Sequence, residues 1–280
     1  MKIGCHVSIA QNIWACFERA LSVQSEVFQI FTQNQRQWKS VHYSKKDIEK
    51  FHELRKQSPY GSEPIVAHAS YLINLCADDE QKLIKSREAF VEELKRCDLL
   101  GIDYLVIHPG SFGGQSLEWG IEKVAETLNF AMDYFEPQVQ ILLETTAGQG
   151  NNLGFRFEQL QAIREQVKLK EKVAYCVDTC HIFAAGYELE NLEGLNRTLT
   201  LAKKILTFEL IKVWHFNDSM HDRGSRKDRH AAIGEGKIGL AAFEYLVNYK
   251  PFDTTPAILE IPGGKEKFAE NIELLKNLRK

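Results

Sequence analysis

Short apolar runs alternate with longer amphipathic stretches along the whole sequence. Runs rich in Val, Ile, Leu and Phe fall at residues 2–7, 27–32, 64–69, 104–109, 140–145, 173–179, 211–217 and 257–261. Segments with helical spacing of apolar positions lie between them, at 11–21, 45–57, 80–100, 117–135, 157–165, 192–206, 240–249 and 265–278. A parallel strand covered on both faces reads as a continuous apolar run, and a helix packed on it keeps one apolar stripe, so the alternation predicts repeated βα units. Eight such units close most economically into a single α/β (β/α)8 TIM barrel, although a doubly wound sheet holds the same elements. No linker or low-complexity run interrupts the pattern, so residues 1–280 read as one domain.

Polar residues punctuate the runs at one end. Six of the eight close on a metal-type ligand: His68, His108, Glu144, Asp178, His215 and Glu260. Taken singly, an acid or histidine closing a strand is more often a helix cap or a satisfied polar group. In a barrel, however, all six converge on the C-terminal face, where this fold places its active site. Neither residues 141–147 nor 257–261 supply a Lys or Arg to neutralise the three carboxylates. Desolvated acids without counter-charge take up protons at a cost in stability, and bound cations remove that conflict.

Three further ligands adjoin these positions. His181 follows in Asp178-Thr179-Cys180-His181, and Asp228-Arg229-His230 puts an acid and an imidazole on one side of an extended segment. Five histidines and four acids exceed what one ion uses; three ions fit the count. The mixed nitrogen and oxygen set suits Zn²⁺ better than Ca²⁺ or Mg²⁺, and also accepts Mn²⁺. Three Zn²⁺ against four carboxylates leave a net charge of about +2, suited to a phosphodiester. Cys176 and Cys180 flank Asp178, but strand alternation places Cys176 a layer deeper, and neither thiol is needed.

Composition narrows the class. With 44% apolar residues and a formal charge of −3, the chain has a full core and does not grip nucleic acid by bulk charge, so any such contact is local. The sequence shows no signal-peptide pattern and no membrane-length apolar stretch. Six scattered cysteines lack disulfide-scaffold density, which points to a reducing cytoplasm. Two loops carry side chains suited to nucleic acid: Gln33-Asn34-Gln35-Arg36-Gln37-Trp38, and Ser70-Tyr71-Leu72, whose tip can wedge into a base stack. Arg223, Arg226, Lys227 and Arg229 form the one clear basic run, more often a solvated face than a site. Gly234-Glu235-Gly236-Lys237-Ile238-Gly239 matches G-x-G-x-x-G but follows no strand, and reads as a tight turn.

The chain resembles the endonuclease IV family, the type-2 apurinic/apyrimidinic endonucleases. The likeness runs through Gly4-Cys5-His6-Val7-Ser8, Asn34-Gln35-Arg36, His68-Ala69-Ser70-Tyr71, His108-Pro109-Gly110, Glu144-Thr145-Thr146-Ala147-Gly148, Asp178-Thr179-Cys180-His181, His215-Phe216-Asn217-Asp218-Ser219 and Asp228-Arg229-His230. The resemblance implies one zinc on His68, His108 and Glu144, and a second on Glu144, Asp178, His215 and Glu260. It implies a third on His181, Asp228 and His230. Arg36, Tyr71 and Leu72 correspond to the family's DNA contacts, which fill the gap left when an abasic nucleotide flips out. Met220 and Gln33 depart from the family, standing where many relatives carry basic residues. The implied substrate is double-stranded DNA bearing abasic sites, cut by a monomer on the 5′ side to leave a 3′-hydroxyl and a 5′-deoxyribose phosphate, with Glu144 as the central catalytic residue. The rival expectation is a sugar isomerase or epimerase, which uses the same barrel with one or two divalent ions; the third ligand set argues against it.

Overall fold

Strand alternation organises the molecule. In the computed structural model, which describes all 280 residues, the barrel strands are β1 (Lys2–His6), β2 (Val27–Phe31), β3 (Ile65–His68), β4 (Tyr104–Ile107), β5 (Gln140–Glu144), β6 (Val173–Asp178), β7 (Ile211–His215) and β10 (Pro256–Leu259). They form a closed, all-parallel barrel in chain order, with β10 hydrogen-bonded to both β7 and β1. All eight expected runs are therefore strands, and the single (β/α)8 barrel is the observed architecture. Strands β8 (Asp218–Ser219) and β9 (His230–Ala231) make a small antiparallel pair outside the barrel, in keeping with the extended segment expected at His230.

The helices are α1 (Ala15–Ser22), α2 (Lys45–Gln57), α3 (Glu80–Leu100), α4 (Leu117–Tyr134), α5 (Phe157–Glu165), α6 (Thr179–Ala185), α7 (Leu192–Ile205), α8 (Leu240–Val247) and α9 (Gly264–Asn277). Side-chain caps start several of them: Ser44 with Asp47 forms a capping box on α2, and Asp79, Ser116 and Asn191 accept from the first turns of α3, α4 and α7. Two expectations are corrected. The first helix begins at Ala15 rather than at residue 11, because Gln11 takes φ +76°, a backbone that no helix continues. The α6 turn went unread because every residue in it is buried, so it shows no amphipathic stripe.

Outward strand residues such as Ile3, Cys5, Phe28 and Ile30 pack against the helices in one large core. Inward residues form a small separate plug of Val27, Val66, Val106, Leu142, Ala174, Cys176, Val213 and Ile258. Two residues further along each strand lies the next inward position, on the rim of the barrel mouth. Gly4 takes the inward place on β1, where a Cβ would stand 1.8 Å from the carbonyl oxygen of Val27, so only glycine lets β1 and β2 approach.

The floor of the barrel is tied near both ends of the chain. Glu26 accepts from the Ile3 amide at 2.8 Å and from both Nη atoms of Arg279 at 3.0 Å. Burial works against its charge, but the Ile3 amide and the Arg279 guanidinium overcome it and hold the carboxyl below its usual range. A carboxylate depressed in the folded state adds stability above its unfolded value of about 4.5, and loses it as pH falls through the lower folded value. Replacing Glu26 with Gln is expected to cost about 1–2 kcal/mol at pH 7. Thermal unfolding at several pH values checks this: the gap to the unaltered chain closes below about pH 4.5, and a constant gap counts against the ion pair as its source.

Candidate metal centre

The layer above the plug is polar on all eight strands. Two residues beyond Gly4, Val27, Val66, Val106, Leu142, Cys176, Val213 and Ile258 stand His6, Gln29, His68, His108, Glu144, Asp178, His215 and Glu260. The six sequence-predicted strand-end ligands thus share one mouth, and His6 and Gln29 complete the ring. Glu144 is its centre. One carboxylate oxygen lies 3.0 Å from His68 Nε2 and 2.9 Å from His108 Nε2, and the other 2.8 Å from His215 Nδ1. Potential ligand atoms of His68, His108 and Glu144 fall within 4.8 Å of one another, as do those of Glu144, Asp178, His215 and Glu260.

The third group assembles from outside the barrel. Asp178 caps α6 by accepting from the His181 amide at 2.9 Å, and that first turn swings His181 back over the mouth. Asp228 lies between two imidazoles, 3.2 Å from His181 Nε2 and 3.2 Å from His230 Nε2. Asp178 Oδ2 is 3.6 Å from His230 Nε2, so this acid borders both the second and third groups.

Four of the five rings are held from behind. His68, His181 and His230 turn Nδ1 to the carbonyl oxygens of Ala69 at 2.7 Å, Thr145 at 2.8 Å and Glu260 at 3.0 Å. A carbonyl only accepts, so Nδ1 carries the proton and Nε2 points inward as the free donor atom, the arrangement that orients metal-ligating histidines. His215 is reversed: its Nε2 meets Gln29 Oε1 at 2.8 Å and Nδ1 faces the acids. Gln29 also donates to Glu260 at 2.6 Å, and its amide lies 3.0 Å from His6 Nδ1. Sequence reasoning passed over Gln29, although a lone amide inside Val27-Phe28-Gln29-Ile30-Phe31 was the available signal. Asn217 is a second omission; it donates to Asp178 Oδ2 at 2.7 Å and accepts from the Glu260 amide at 2.8 Å.

The donor set fits cations. No lysine or arginine side chain pairs with Glu144, Asp178, Asp228 or Glu260, whose charged partners are all imidazoles. His230 Nε2 is buried without a hydrogen-bond partner. Burial opposes a charge on His181 and His215 but is overcome, at His181 by Asp178 and Asp228 and at His215 by the Glu260 and Glu144 carboxylates, so both rest well above the usual range. His230 is lifted to about 9 by Asp178 and Asp228, also against burial. Glu144 is likewise opposed by burial, and His108 and His215 hold it well below its usual range. The mouth thus demands positive charge from whatever is nearest. Burial pushes the Cys176 and Cys180 thiols up to about 12, which keeps both protonated and disfavours them as thiolate ligands.

The rim residues divide. Arg36 is exposed and its guanidinium has no partner in the fold. Tyr71 is 59% exposed, its ring 5.4 Å from that of His68 and 5.5 Å from that of Phe31. Leu72 is half-buried beside it. Arg36, Tyr71 and Glu260 line one cleft of about 1380 Å³ with Asn12, Trp14 and Phe268. Gln33 turns inward instead, accepting from the Val41 amide at 3.2 Å, while Met220 is exposed on the rim. The basic run is partly spent: Arg223 pairs with Glu188 at 2.8 Å and Glu190 at 3.2 Å, and Arg226 lies over the ring of Phe155 at 5.2 Å.

The glycine-rich turn has a different purpose from phosphate binding. Asp218, fully buried, accepts from the amides of Ser219, Gly234, Gly236, Ile238 and Gly239 at 2.7–3.3 Å. A Cβ on Gly236 would stand 2.4 Å from Asp218 Oδ1, so the turn closes on its own carboxylate. That clasp lies at the base of the β8–β9 pair, which carries His230.

Barrel and mouth define a class: residues 17–278 match a family model described as a xylose isomerase-like TIM barrel. A probable endonuclease 4 of Chloroflexus aurantiacus is 41% identical over 280 residues, covering 99% of this chain and 98% of that protein. The crystal structure of endonuclease IV from Thermus thermophilus superposes with a TM-score of 0.88 at 33% identity, over 99% of this chain and 98% of that one. A D-tagatose 3-epimerase-like protein matches at a TM-score of 0.71 and 22% identity, over 99% and 97% of the two chains, and shares the fold. The chain belongs to the endonuclease IV family.

Proposed function

We propose that this protein is a metal-dependent endonuclease acting on abasic sites in double-stranded DNA. The carrying observation is Glu144, buried among three imidazoles at 2.8–3.0 Å, in a mouth whose acids have no cationic side chain to pair with. Three divalent ions, Zn²⁺ by the chemistry of the donors, complete the mouth. His68 and His108 with Glu144 hold one; Glu144, Asp178, His215 and Glu260 hold the next; His181, Asp228 and His230 hold the third. When bound, such ions supply a water of pKa lowered from ~15.7 to about 7 and positive charge beside the scissile phosphodiester.

The protein's own groups fix where that chemistry falls. Glu144 belongs to two ligand sets and sets their spacing. Gln29 holds the ring plane of His215 and one oxygen of Glu260 together. Arg36 meets a backbone phosphate across the cleft, and Tyr71 with Leu72 fills the space vacated by the flipped nucleotide, which has no base pair to lose. The hydrolysis proposed is on the 5′ side, leaving a 3′-hydroxyl and a 5′-deoxyribose phosphate.

A nicking assay on a duplex with one abasic site, run beside an aldose–ketose assay, tests the reading. Incision is expected, lost on chelation and restored by added zinc; turnover of sugars with an intact duplex would overturn it.

A further inference from the structure

Helix α3 faces the barrel with Leu83, Phe90, Leu94, Cys97 and Leu100, yet two charged residues interrupt that buried face. Glu93 is 1% and Arg96 4% exposed. Arg96 Nη2 donates to Glu93 at 2.8 Å, and its Nε donates to the Thr32 hydroxyl at 3.0 Å. Its Nη1 donates to the Ser40 hydroxyl at 2.7 Å. The Thr32 hydroxyl donates to Glu93, and the Tyr43 hydroxyl to the Thr32 carbonyl.

A buried ion pair is a poor source of stability, since apolar side chains of the same volume do as well or better. Its value lies in geometry: every hydrogen bond has a direction. Here the bonds reach both ends of one loop, Thr32 where β2 ends and Ser40 and Tyr43 where the chain returns to α2. Between these anchors the loop stitches itself through Gln33 to Val41 and through the Asn34 side chain to the Arg36 amide at 3.0 Å. The Ser70 hydroxyl donates to the Gln35 carbonyl at 2.8 Å, joining the loop to the one that bears Tyr71. The backbone of the tip is thus held through Asn34, while the Arg36 guanidinium makes no bond within the fold.

We propose that Glu93 and Arg96, through Thr32, Ser40 and Tyr43, are positioning residues that preset the 33–40 loop so that Arg36 meets the substrate backbone without a further ordering cost. The proposal rests on the reading of DNA as substrate. A preordered loop binds more tightly because less freedom is lost on association, so the network acts on affinity rather than on the bond-breaking step.

Steady-state incision of an abasic duplex tests it, with Arg96→Met, Ser40→Ala and Tyr43→Phe made alone and together with Arg36→Ala. Alone, Arg96→Met and Ser40→Ala are expected to raise KM about fivefold to tenfold, with kcat within about twofold and bound metal unchanged. Combined with Arg36→Ala they add little, because the residue they position is gone. Arg96→Lys, which keeps charge beside Glu93 but not the fork, is expected to fall between. Should Arg96→Met fail to fold, Ser40→Ala and Tyr43→Phe each remove a single hydrogen bond and carry the same test. KM rising equally with and without Arg36, or kcat and metal content falling together, overturns the proposal alone. An unaltered chain that leaves the abasic duplex intact overturns the nuclease reading instead.

Discussion

Replacing Glu144 with Gln is expected to lower the incision rate on an abasic duplex by about 10³-fold or more while leaving DNA affinity close to that of the unaltered chain. The residue is fully buried, and its two oxygens reach His68, His108 and His215 within 3.0 Å. An amide of the same shape removes one negative charge and turns an N–H toward imidazole nitrogens that the proposed metal sites need free. Both neighbouring ligand sets lose their shared member at once. Rate, binding to a duplex and metal content measured on one preparation decide the matter: incision at the original rate would remove Glu144 from the centre of the chemistry.

Asp218→Asn is expected to destabilise the fold by about 2–4 kcal/mol, a fall in melting temperature of roughly 3–7 °C. Five backbone amides converge on this carboxylate, and an asparagine side chain faces some of them donor to donor. The loss is local in its functional reach. The clasp anchors the segment bearing Asp228 and His230, so bound metal is expected to drop by about one ion per chain while the sets on Glu144 keep theirs. Calorimetry with elemental analysis checks both halves; a full metal complement in the variant would show that the hairpin holds its place without the clasp.

The sequence made the barrel and six of its candidate strand-end ligands legible because both obey a period of two: an apolar inner residue, then a polar one two places on, as in Val66 and His68 or Leu142 and Glu144. Where that rhythm was masked, the reading stopped short. Gln29 occupies the same layer, but an amide carries no charge to draw notice. Helix α6 is buried on every side and has no polar face to mark its period. Asp218 was invisible for a different reason. Four of its five partners are backbone amides sixteen to twenty-one residues away, and a turn built around a carboxylate leaves in the sequence only glycines, which also suit phosphate loops.

Closure of the ring has a consequence for how the molecule comes into being. Because β10 is the piece that bridges β7 to β1, the circle stays open until residue 259 has been made, and Glu260 follows directly. A nascent polypeptide halted earlier lacks both Glu260 and the strand pairing that closes the mouth. The full set of candidate ligands is therefore brought together only once the last strand has been made and paired on both of its edges.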